Sequence, residues 1–167
     1  MSKKIDYQFK DISLLKLALT HRSVGKNNNE RLEFLGDSIL GLVISRELYK
    51  RFTHVDEGKL SRLRSHLVRG QTLAQLASTL DLSNILILGS GELKSGGFRR
   101  ESIQADVVEA IFGAVFLDSD FDTVNTVILK LYKERLDIIN PNDSLKDFKT
   151  QLQEYLQKRG NALPKYE

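Results

Sequence analysis

The sequence predicts an all-α protein, and three observations carry that expectation. Apolar residues recur at intervals of three and four along most of the chain. Strict apolar–polar alternation is nowhere sustained. The only two prolines, Pro141 and Pro164, stand near the end, so everything before them is free of the strongest helix breaker. The pattern corresponds to about six to eight helices. In chain order it appears at Leu14, Leu15, Leu17 and Leu19, then at Leu32, Leu35, Ile39, Leu42 and Val43. It returns at Leu60, Leu63 and Leu67, at Leu73, Leu76 and Leu80, at Val107, Val108, Ile111 and Val115, and at Val124, Val127, Ile128 and Leu131. Polar punctuation separates these stripes. Residues 26–29 (Lys-Asn-Asn-Asn) form a loop whose last residue, Asn29, is placed to cap the helix opening at Glu30. Gly89-Ser90-Gly91 and Gly96-Gly97 bracket a segment without the Lys-Ser ending of a phosphate loop, which reads as a hinge or contact loop. Residues 140–144 (Asn-Pro-Asn-Asp-Ser) read as a linker, followed by a short amphipathic helix from Phe148 to Lys158 that Gly160 ends.

Composition narrows the chemistry. With 167 residues, 41% of them hydrophobic and 28% charged, the chain can bury a core and is not of disordered composition. The absence of cysteine excludes thiol nucleophiles, thiolate zinc sites, iron–sulfur clusters and disulfides. The longest apolar run, Ala110 to Leu117, is far short of a membrane span, and no apolar stretch follows Lys3-Lys4 as in a signal peptide. The expectation is a cytoplasmic protein with no membrane partner. A net charge of +3 permits a polyanionic ligand without requiring one. Basic residues cluster at Arg62, Arg64, His66 and Arg69, and again at Lys94, Arg99 and Arg100. An Arg-rich helix is by itself usually a solvated face, and each of the three histidines reads as structural or surface.

The acidic residues carry more information. At roughly 100° per residue, Glu30, Glu33 and Asp37 fall within about 60° of one another on a helix, beside Phe34, Leu35, Ile39 and Leu40. Two carboxylates about 5 Å apart repel by roughly 3 kcal/mol at an effective dielectric of 20. Asp106 and Glu109 repeat the arrangement one helical turn apart, in a run that otherwise reads as buried helix. Carboxylates converging from two helices need a counter-charge, and a hard divalent cation such as Mg²⁺ or Mn²⁺ supplies it. A single acidic pair is most often a solvated face. Two pairs on separate apolar helices leave a metal site and a solvated face as even alternatives, and neither specifies a reaction.

The run Asn29-Glu-Arg-Leu-Glu-Phe-Leu-Gly-Asp-Ser-Ile-Leu40 resembles the signature motif of bacterial ribonuclease III, a twelve-residue pattern of high specificity. Thr20-His21-Arg22-Ser23, Val55 to Gly58, Leu67 to Gly70, Gly91 to Ile103 and Ala105 to Ala110 agree with that family in order and spacing. Residues 149–167 resemble the start of a double-stranded-RNA-binding domain. The resemblance implies the helical ribonuclease III endonuclease fold over 1–140, a linker over 141–146 and the first part of an α/β RNA-binding domain over 147–167, fewer residues than that module needs, hence a truncated one. It implies a homodimer that uses Mg²⁺, with Mn²⁺ as substitute, to hydrolyse double-stranded RNA to 5′-phosphate and 3′-hydroxyl ends with short 3′ overhangs, processing ribosomal, messenger and transfer RNA precursors. Glu33, Asp37, Asp106 and Glu109 match the family's metal-site carboxylates, Asp37 and Glu109 being those on which catalysis depends most. Glu30 and Glu57 match accessory acidic positions. Arg99 and Arg100 lie where the RNA backbone is met, and Thr150, Gln153, Glu154 and Gln157 match the first RNA-binding helix of the second domain, whose glutamines approach the minor groove. Two other readings stand beside this one: a non-catalytic RNA-binding relative, and an all-α Mg²⁺-dependent nucleotide pyrophosphohydrolase.

Overall fold

The structure, a computed structural model, describes residues 2–141 and residue 156. Residues 2–141 fold into α1 (Ser2–Ile5), α2 (Ile12–Ala18), α3 (Glu30–Arg51), α4 (Glu57–Val68), α5 (Gly70–Thr79), α6 (Ser90–Lys94), α7 (Glu101–Asp118) and α8 (Phe121–Ile138), the six apolar stripes falling on α2, α3, α4, α5, α7 and α8. Short 3-10 turns lie at Arg22–Val24, Leu82–Asn84 and Gly97–Arg99. The one β pairing among the described residues is an isolated bridge between Thr20 and Ile87. The all-α expectation holds over this region. The helix at 148–158 and the linker at 141–146 lie outside the described residues, apart from 141 and 156.

Two local readings change. Asn29 does not cap α3. Its backbone is already helical and its side chain, 2% exposed, donates to the carbonyl of Ala18 (3.3 Å). The cap comes one residue earlier, where Asn28 Oδ1 accepts the N–H of Glu30 at 3.0 Å. The glycine-flanked segment 89–97 is not an open loop: it winds into α6 and then the turn at Gly97–Arg99. Glu92 folds back so tightly that a Cβ on Gly97 would run into its carboxylate.

α7 is the centre of the molecule. Ile103, Ala105, Val107, Val108 and every residue from Ala110 to Val115 are buried, so the helix is apolar nearly all round, as a helix surrounded by others must be. α3, α5, α2 and α8 pack on it. Its closest neighbour is α3, and glycine on both sides sets the approach. A Cβ on Gly36 would run into the backbone carbonyl of Glu109, and one on Gly113 into that of Leu32. Elsewhere, long-range hydrogen bonds tie the frame together. The Tyr132 hydroxyl donates to the Leu67 carbonyl at 3.1 Å, and Asp118, at the end of α7, accepts from the Tyr7 hydroxyl at 2.6 Å and from the N–H groups of Lys10 and Asp11.

Candidate metal centre

The glycine-mediated crossing brings the two acidic stripes together. Glu33 from α3 and Asp106 and Glu109 from α7 present carboxylate oxygens that all lie within 4.8 Å of one another, and all three residues are half-buried. Asp106 and Glu109 are the only charged residues of α7 between its terminal Glu101 and Asp118. Asp37, one turn beyond Glu33, is exposed and outside this tight group, yet its charge acts on Glu109.

Electrostatics shows how unfavourable the group is as three free anions. Burial pushes the Glu109 carboxyl up to about 8, helped by the charges of Asp37, Asp106 and Glu33. Burial also raises Glu33, with Asp106, Glu30 and Asp37 adding to it and Arg22 opposing. Asp106 is raised by burial too, against the positive influence of His21 and Arg22. An all-oxygen donor set, partly desolvated and mutually repelling, fits a hard divalent cation: the ion favours the ionised forms that burial disfavours.

Glu33 and Asp106 open into a cleft of about 500 Å³ lined also by His21, Arg22, Ser23, Glu30, Glu92, Arg100 and Ser102 among others. Of the accessory positions, Glu30 stands at the cleft, exposed, with Arg22 Nη1 3.6 Å from its Oε1. Glu57 does not join it. It begins α4, accepts a hydrogen bond from Ser61 Oγ at 2.6 Å and lines a separate cavity of about 220 Å³ with Ser45, Tyr49, Leu60 and Arg64. Arg100 reaches the cleft and pairs with Glu92 at 2.9 Å, whereas Arg99 lays its guanidinium over the Phe98 ring at 5.1 Å. Thr150, Gln153, Glu154 and Gln157 lie outside the described residues.

Two cleft residues escaped the sequence reading. Glu92 adds a carboxylate that no acidic stripe announces. His21, read as structural or surface, is only 8% exposed and stands in the cleft wall. Its one sequence signal was its place in Thr20-His21-Arg22-Ser23. That turn is fastened to the segment before α6: His21 N–H donates to the Ile87 carbonyl at 3.0 Å, Ile87 N–H to the Leu19 carbonyl at 2.9 Å, and Gly89 N–H to Ser23 Oγ at 2.9 Å.

Comparison with known proteins agrees with this geometry. Residues 11–136 match the family described as Ribonuclease-III-like. The chain is 61% identical over 166 residues to Ribonuclease 3 of Aliivibrio fischeri and 58% identical over 166 residues to that of Vibrio parahaemolyticus, spanning 99% of this chain and 74% of each relative. Among solved structures, the nuclease domain of ribonuclease III from Campylobacter jejuni superposes with a TM-score of 0.79 at 40% identity, covering 82% of this chain and 96% of that one. Dicer from Pichia stipitis superposes with a TM-score of 0.63 at 26% identity, covering 92% of this chain and 68% of that one. From residue 11 to residue 136, and with both acidic pairs in place on the two crossing helices, the chain belongs to the ribonuclease III family.

Proposed function

We propose that this chain is an endoribonuclease that hydrolyses double-stranded RNA with Mg²⁺, or Mn²⁺ in its place, and that Glu33, Asp37, Asp106 and Glu109 hold the metal, directly or through water. The observation that carries this reading is the half-buried trio Glu33, Asp106 and Glu109, converging from α3 and α7 in a chain of the ribonuclease III family. A bound divalent ion supplies Lewis-acid charge to a phosphate and lowers the pKa of an attacking water. The rest falls to side chains. Glu109, whose carboxyl burial raises, would hold the ion in its ionised form. Asp37, exposed and close enough for its charge to raise Glu109, would hold the ion through water. Arg22 and Arg100, on the cleft wall, offer fixed positive charge to the RNA backbone. Water adds across the P–O3′ bond, leaving 5′-phosphate and 3′-hydroxyl ends. Nothing in this scheme needs a histidine base or a covalent intermediate.

Two copies are proposed to act together, each cutting one strand to leave a short 3′ overhang. Support comes from α3, where Phe34, Leu42 and Tyr49 are 77%, 56% and 74% exposed. With Ser38 they fall within about 80° of one another around the helix, next to the carboxylate stripe. Glu57 lies beside this face, in the cavity it shares with Tyr49, where an accessory role would depend on the second copy. Residues 141–146 are proposed as the linker after a catalytic domain of 1–140, and 147–167 as the start of an RNA-binding domain in which Thr150, Gln153 and Gln157 meet duplex. Precursors of ribosomal, messenger and transfer RNA in the cytoplasm are the proposed substrates. Among the described residues no helix is long and apolar enough to cross a membrane.

The test incubates the purified chain with a labelled RNA hairpin at low salt, in Mg²⁺ and separately in Ca²⁺, with product 5′ ends mapped. Staggered cuts in Mg²⁺ alone are expected. Binding without cutting in Mg²⁺ would replace the nuclease with a non-catalytic RNA-binding protein.

A further inference from the structure

His21 is more than nine-tenths buried, and its two ring nitrogens have different surroundings. Nδ1 faces inward to its own turn. It accepts the backbone N–H of Ser23 at 3.2 Å and lies 2.9 Å from Ser23 Oγ. That hydroxyl already accepts the Gly89 N–H, so its own hydrogen is free to point at Nδ1. With donors on its Nδ1 side, the ring carries its proton on Nε2. The arrangement is rigid, because a Cβ on Gly89 would run into the Ser23 carbonyl: the two segments touch backbone to backbone. Nε2 makes no hydrogen bond among the described residues, yet it is not a sealed unsatisfied atom, and the residue lines the cleft with Asp106 and Glu33. A buried ring held at Nδ1 by two contacts from Ser23, with its remaining donor left unspent beside the carboxylates, is a built donor site.

We propose that His21 Nε2–H donates a hydrogen bond to a non-bridging phosphate oxygen of the RNA strand in the cleft. The inference rests on the endoribonuclease reading and adds a substrate-contacting residue to it. The chemistry suits a phosphodiester. Glu30, Glu33, Glu92 and Asp106 line the cleft and repel an anion, so the rest of its lining must supply donors whose positions are fixed in advance. Arg22 and Arg100 supply charge but are engaged with Glu30 and Glu92. His21 makes no hydrogen bond or ion pair with a carboxylate among the described residues. With the Ser23 N–H on Nδ1, the edge that His21 presents to the cleft is its donor edge.

Two substitutions separate the ring's two edges. His21→Asn keeps an acceptor near the Nδ1 position for the Ser23 N–H but has nothing at Nε2. His21→Gln reaches the Nε2 position with an amide N–H but loses the tie to Ser23. Wild type and both variants are compared in single-turnover cleavage of a labelled RNA hairpin at saturating Mg²⁺, with Ca²⁺-supported RNA binding and thermal melting measured alongside. H21N is expected to melt like wild type and to lose roughly 10- to 100-fold in cleavage rate, the size of one hydrogen bond to a charged group. H21Q is expected to melt earlier yet cleave faster than H21N. Wild-type cleavage by H21N, or an H21Q rate no higher than that of H21N, overturns the proposal and leaves His21 a structural tie. If H21N melts early, the H21Q rate decides: within about fivefold of wild type supports the donor, and a loss of about 100-fold overturns it. Failure of the wild type to cut would instead remove the nuclease reading beneath it.

Discussion

Glu109 bears most of the electrostatic cost of the site, which makes its behaviour without metal informative. Its folded-state carboxyl is raised to about 8 from an ordinary 4.5, by burial first and then by Asp37, Asp106 and Glu33. A raised carboxyl stabilises the fold fully below the unfolded value and loses that contribution as pH climbs through the folded one. Asp106 and Glu33 move in the same direction. The metal-free chain is therefore expected to melt at progressively lower temperature between about pH 5 and pH 9. Glu109→Gln, which leaves nothing to ionise there, should flatten that decline. Mg²⁺ should reverse it, raising the melting temperature more at pH 8 than at pH 5.5, because the cation competes with protons for the same oxygens. Melting curves across pH, with chelator and with Mg²⁺, check both; a wild-type curve as flat as that of E109Q would mean that Glu109 is not desolvated. The same substitution is expected to abolish cleavage while the fold and dimer persist, as is Asp37→Asn. Loss of fold in either would make these carboxylates structural.

At the scale of elements, the site is a product of how two helices meet. α3 and α7 approach so closely at Gly36 and Gly113 that each added Cβ would collide with backbone of the other helix, not with a side chain that could turn aside. Gly36→Ala should therefore cost on the order of 3 kcal/mol or more, at the upper end of overpacking, with Gly113→Ala similar. Denaturant midpoints would measure this. The diagnostic outcome is that activity falls further than stability explains, because separating the helices pulls Glu33 away from Asp106 and Glu109; an alanine variant that folds and cuts normally would show that the crossing has slack. Periodicity made the helices legible, and the odd placement of Glu33, Asp106 and Glu109 in apolar surroundings made the acidic cluster legible. Where the helices cross was not, since that depends on two glycines far apart in sequence whose need for close approach has no local signature. The same holds for Asn29, whose capping sequence is overridden by a tertiary bond to Ala18. It holds again for His21 and Glu92, which reach the cleft only through folds of the chain that no stripe encodes. Leu42, counted in the apolar stripe of α3, is exposed, and helix spacing alone cannot tell a core face from one left for a partner.

The whole molecule carries two unequal surfaces on one helix, and that juxtaposition makes a prediction about assembly. Around α3, Glu30 and Glu33 line the cleft, and the adjoining stripe of Phe34, Leu42 and Tyr49 faces solvent. Exposed large apolar side chains scattered singly are ordinary, but three on one face of one helix form a patch that a partner can cover. Phe34 is the strongest anchor, being an aromatic next to Glu33 and only three residues from Asp37, so pairing through it would hold two metal centres at a fixed separation. Phe34→Asp is expected to convert a dimer to a monomer, read by sedimentation equilibrium, because an unpaired carboxylate cannot be desolvated at such a contact. Its effect on chemistry then discriminates between two roles for the face. If one copy suffices for cutting, the monomer should still nick a single strand at close to the wild-type rate. If the cleft is completed by the second copy, as the position of Glu57 away from its own carboxylates suggests, both strands should survive intact although Glu33, Asp106 and Glu109 are untouched. A Phe34→Asp protein that remains dimeric would move the interface to another surface of the molecule.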